Sequence, residues 1–141
     1  MKDKKVKTIS IATFPGFFEY GSDDVFSEEL KIFRNQVVYK KEDIINGKIQ
    51  ARWKFTTTSD KFSDTFRKIC DEVQKFTDFY ADIDCPGFSL EIVYSDETSK
   101  ICYFPLNFDY NKMDYLTLLI KTLIPVGESY PKVLDYDSFL D

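Results

Sequence analysis

Histidine is missing from this 141-residue chain. That absence excludes Ser-His-Asp and Cys-His nucleophilic sites, a histidine general base and every histidine-containing zinc site. Cysteine is scarce: Cys70, Cys85 and Cys102 are odd in number, widely spaced and without a C-x-x-C pair. They fit reduced thiols that behave as small hydrophobes better than a disulfide framework. No apolar run approaches the roughly 20 residues that a membrane span needs. The lysine-rich start, Met1 to Lys7, leads into a strand pattern with no small-residue cleavage site, which argues against a secretory signal. A cytoplasmic protein with no membrane partner is the expectation.

Cations are absent from two long stretches. Thr8 to Leu30 holds no Lys or Arg while carrying Glu19, Asp23, Asp24, Glu28 and Glu29. Phe76 to Ser99 repeats the pattern around Asp78, Asp82, Asp84, Glu91, Asp96 and Glu97. The net charge of −5 understates this, because Met1 to Lys7 takes four of the 19 cations and one of the 24 acids. Both acidic blocks would repel a phosphate backbone, so no nucleic acid is expected as a partner outside a short basic arm, residues 1–6. A basic protein would be attracted, and its association accelerated.

Aromatics, by contrast, are plentiful: fourteen Phe, nine Tyr and one Trp make up 17% of the chain. Rings fill cores, but they also anchor interfaces at little entropic cost. With 43% hydrophobic and 30% charged residues the composition is that of a globular chain, neither disordered nor fibrous, and its length suits a single domain spanning residues 1–141.

The hydrophobic pattern predicts an α+β fold. Val6 to Phe14 alternates Ile9, Ile11 and Thr13 with Thr8, Ser10 and Ala12 and reads as a strand ended by Pro15-Gly16. Glu29 to Arg34 and Gln36 to Lys41 form a hairpin about Asn35. After the Asn46-Gly47 turn signal, Ile49, Ala51, Trp53 and Phe55 share one face of a strand and Lys48, Gln50, Arg52 and Lys54 the other, which predicts that Trp53 and Phe55 are buried. A helix starts at Ser59 as N-cap and presents Phe62, Phe66, Ile69, Val73, Phe76 and Tyr80 to one side up to about Phe79. Phe88 to Tyr94 and Lys100 to Leu106 make a second hairpin. Asn111 to Ile124 makes a second helix with Met113, Leu116, Leu119, Ile120 and Leu123 inward, stopped by Pro125. The order β-β-β-β-α-β-β-α predicts a mainly antiparallel sheet with both helices on one face, in two layers. The tail, residues 132–141, alternates acidic with apolar residues and is expected to be irregular, packed on its own domain or docked on a partner.

Three groups of residues could carry chemistry. Phe17, Phe18 and Tyr20, with Glu19, Asp23 and Asp24, follow the first strand in a loop where rings are harder to explain as core, and they suggest a partner-binding anchor with a charged rim. Asp78, Asp82, Asp84 and Glu91 bring together the oxygen ligands a hard cation prefers, although the spacing matches no calcium loop. The segment Pro125 to Pro131 has one glycine and no lysine, so it is not a phosphate-cradling loop. No cofactor is implied. The leading expectation is a non-enzymatic protein-binding module of the inhibitor or toxin-immunity type. A metal-dependent hydrolase built on the clustered carboxylates and a small-ligand carrier with an aromatic cavity are the alternatives.

Overall fold

The computed structural model describes residues 5–13, 26–43, 47–76, 87–105 and 114–131. Six strands, β1 (Val6–Thr13), β2 (Phe26–Phe33), β3 (Gln36–Asp43), β4 (Lys48–Thr56), β5 (Gly87–Tyr94) and β6 (Ser99–Pro105), alternate with helices α1 (Asp60–Val73) and α2 (Asp114–Thr122) in the expected order. All five strand pairings are antiparallel, and the sheet order is β4-β3-β2-β1-β5-β6. Three hairpin connections account for β1 through β4. The β1–β5 pairing joins strands far apart in sequence.

Charge explains which strand is central. From Thr8 to Thr13, β1 carries no charged side chain, and it is buried on both faces, at Thr8 and Ser10 on one and at Ile9 and Ile11 on the other. Ile9 pairs with Ile32 and Ile92, and Ile11 with Leu30 and Leu90, so the core follows a row of branched aliphatics across β2, β1 and β5. Phe62, Phe66, Ile69 and Val73 of α1 and Leu116, Leu119 and Ile120 of α2 close on that same row and complete one core with Val37, Tyr39, Tyr94, Cys102 and Leu123. Each helix has one apolar stripe, and both stripes meet the same sheet face, giving the two-layer fold.

The local signals act with some changes. Gly47 lies in the left-handed region (φ +70°), which glycine adopts at no steric cost, and its amide donates to the Asp43 carbonyl at 2.7 Å where β4 begins. Ser59 occupies the N-cap position of α1, yet its side chain caps nothing; its amide donates instead to Thr57 Oγ1 at 3.0 Å. α1 ends in a short 3₁₀ turn, Gln74–Phe76. The extension expected to Phe79, and the start of α2 from Asn111 to Met113, lie outside the described residues.

β4 corrects the expectation of a uniform greasy face. Lys41 pairs with Ala51 but Glu42 pairs with Ile49, so Gln50 is an extra residue, a one-residue bulge that reverses the alternation at that point. Ile49 is consequently opposite Glu42 and exposed. Beyond the bulge Trp53 does face the core, stacked on Tyr39 with ring centroids 5.9 Å apart, but only partly buried. Phe55 remains 39% exposed, contrary to the expected burial. Its ring centroid lies 6.1 Å from that of Phe62 on α1, and β4 is an edge of the sheet, with a neighbouring strand on one side only among the described residues.

Candidate functional site

Of the site residues read from the sequence, Glu91 lies on β5. Phe17, Phe18, Glu19, Tyr20, Asp23 and Asp24, and likewise Asp78, Asp82 and Asp84, lie outside the described residues. The strands they join fix where those connections start. Residues 14–25 run from the end of β1 to the beginning of β2, and residues 77–86 lead into the beginning of β5. Thr13 pairs with Phe88, and Gly87 with Pro105, so β1 ends beside the start of β5, which in turn begins beside the end of β6. Both acidic, aromatic connections therefore attach to neighbouring strands at the same end of the sheet. Sequence spacing alone could not reveal this, because the two are some sixty positions apart.

Two buried carboxylates mark that end. Glu28 and Asp43 are almost wholly covered, and Glu28 Oε2 accepts a hydrogen bond of 2.7 Å from the Tyr39 hydroxyl. Burial first, and then the bond to Glu28, raise the Tyr39 phenol far above its ordinary pKa, so it serves as a permanent donor. Glu28 and Tyr39 are thus buried together at the margin of the core.

Glu91, the described member of the proposed metal group, stands on the sheet face opposite the helices, between Ser10 and Ile101. It is four residues along β5 from Gly87, about 13 Å at strand spacing, from the point where residues 77–86 enter. Among the described residues no group of three or more Cys, Asp or Glu is placed to hold a metal ion.

No helix among the described residues covers that opposite face. One row crosses all six strands as Ile101, Glu91, Ser10, Lys31, Val38 and Lys54, and a neighbouring row places Ala12, Glu29, Lys40 and Arg52 side by side. Cations thus gather on β3 and β4. Thr8, on the same face of β1, buries a hydroxyl that has no hydrogen-bond partner among the described residues. A further depression of about 360 Å³ is polar and open, lined by Arg34, Asn35, the segment Thr57 to Asp60, and Ser63.

Cys70, half-buried on α1, has its thiol pushed up to about 12 by burial and by the neighbouring Asp71 carboxylate. Cys102 is buried on β6. The Cys70 thiol thus lacks the depressed pKa of a reactive nucleophile, and Cys85 lies outside the described residues. No helix of the described residues is long and apolar enough to cross a membrane. Comparison of the chain with protein-family models, with curated proteins and with solved structures yields no match.

Proposed function

We propose that this chain is a non-enzymatic protein-binding module, of the inhibitor or toxin-immunity type, that engages a basic protein at the acidic, aromatic end of its sheet. The observation that supports it most is the pairing of Thr13 with Phe88, which brings the attachment points of residues 14–25 and 77–86 onto adjacent strands. Together these connections hold Glu19, Asp23, Asp24, Asp78, Asp82 and Asp84, five aromatic residues besides Phe14, and no Lys or Arg. Phe17, Phe18 and Tyr20 act as the desolvated anchors, and the carboxylates steer encounter from the rim. The missing histidine and the high pKa of Cys70 favour binding over catalysis.

Affinity capture with three forms of the full chain tests this. A protein retained by the wild type should be lost by Phe18→Ala and weakened by Asp23→Lys with Asp24→Lys, all three forms giving the same melting temperature. Equal retention by all three would overturn the proposal. The hydrolase alternative is weaker because Glu91 is mid-strand; a divalent ion that raised the melting temperature of the wild type and left Asp82→Asn with Asp84→Asn unchanged would favour it instead.

A further inference from the structure

β4 is the longest strand, an edge of the sheet, and without proline or glycine. It pairs with β3 on one side and, among the described residues, with no strand on the other. Beyond the Gln50 bulge its pairing is regular from Ala51 to Thr56, so alternate backbone groups of that stretch point away from β3, as in any edge strand. Such a row is a template for one more strand.

The side chains of this stretch restrict what that strand can carry. Trp53 and Phe55 turn toward the helix layer and are only partly covered, so apolar residues beside them would remove further ring surface from water. Arg52 and Lys54 project from the other face, and neither has an ion-pair partner among the described residues. Their neighbours on β3 do not compensate them: Lys54 stands opposite Val38 and Arg52 opposite Lys40, a like-charge pairing that is destabilising. Lys40 itself is flanked by Glu29 on β2 and by Glu42, 4.0 Å away. Carboxylates arriving from the free side would therefore meet two uncompensated cations. Antiparallel pairing with a second β4 about Trp53 would instead set Arg52 against Lys54 of the other copy, so the edge resists its own copy.

We propose that the edge of β4 from Ala51 to Thr56 is a docking site for an extended segment of another protein, one in which acidic and apolar residues alternate. Its acids lie beside Arg52 and Lys54, and its apolar residues beside Trp53 and Phe55. Backbone hydrogen bonds supply the affinity and the alternation supplies the specificity. β4 is not one of the strands that carry the acidic connections, so this site and the proposed function can fail separately.

Trp53 is the chain's single tryptophan, so its fluorescence reports on this edge. The probe is a synthetic heptapeptide alternating Val with Glu, titrated into the full chain while amide hydrogen exchange is read along β4. It should shift the Trp53 emission and slow the outward β4 amides, with β1 and β5 unchanged. The same peptide with Lys in place of Glu should bind at least about tenfold more weakly, and Arg52→Glu with Lys54→Glu should invert that preference. A central Pro, which removes a backbone donor and keeps the charge, should abolish the response to the Glu peptide. No response to the Glu peptide would overturn the proposal, as would equal binding of both peptides or binding that survives the Pro. Outward amides already protected without peptide would overturn it too: at every protein concentration they would make the chain itself the occupant, and at high concentration alone a second copy.

Discussion

The two edges of the sheet are finished differently. At β6, Cys102 is buried in the core opposite Leu90, and the last described residue of the strand is Pro105, which has no N–H to donate. At β4, nine residues run without a proline, and the equivalent inward positions hold Trp53, partly buried, and Phe55, 39% exposed. The same alternation of side chains thus produces burial at one edge and half-coverage at the other. Period-two patterning decides which way a side chain points; the reach of the second layer decides how much water it loses.

Truncations should separate the two most clearly. Ile92→Ala, beneath both helices, should lower stability by about 2–5 kcal/mol, whereas Phe55→Ala, whose ring already contacts water, should lower it by about 1 kcal/mol or less. Equal effects in denaturant titrations would mean that β4 is covered as well as the centre of the sheet.

Alkaline titration probes the covered side alone. The Cys70 thiol is raised from 9.0 to about 12, so the folded state holds its proton more tightly than the unfolded chain does. Its contribution is complete below pH 9 and is lost as pH rises toward about 12, with Tyr39 reinforcing the loss at the upper end because its phenol is raised as well. The melting temperature should therefore fall steadily above pH 9, and Cys70→Ala should flatten the first part of that fall. Indifference of the melt between pH 9 and 11 would contradict the burial of the thiol.

The smallest effect belongs to the β5–β6 turn. Glu97 adopts φ +69°, a left-handed conformation costly for a side chain with a Cβ, and its exposed ion pair with Lys7 contributes little. Glu97→Gly should raise stability by about 0.5–1 kcal/mol in thermal melts; destabilisation would show that the Lys7 contact outweighs the backbone strain.

These regions also show what could be read in advance. The element order, both apolar helix stripes and the facing of Trp53 followed from periodicity, because each is a local property of consecutive residues. The bulge at Gln50 was hidden, since nothing in Ile49-Gln50-Ala51 distinguishes two residues facing one partner from regular pairing. Hairpin signals announced the β2–β3 and β5–β6 pairings, but the pairing of β1 with β5 needed the tertiary structure, and with it the attachment of the two acidic connections at one end. Phe17, Phe18, Glu19, Tyr20, Asp23, Asp24, Asp78, Asp82 and Asp84 were legible as an unusual composition and not as an arrangement, because loop residues follow no period that geometry could convert into contacts.

The measurement that bears most directly on the proposed role is the association rate of the captured partner with the full chain, at low and at high salt. With acidic steering and aromatic anchoring, association should slow as salt rises and slow again in Asp23→Lys with Asp24→Lys, while Phe18→Ala should act mainly by hastening dissociation. Association indifferent to salt and to both substitutions would contradict a binding surface at this end of the sheet.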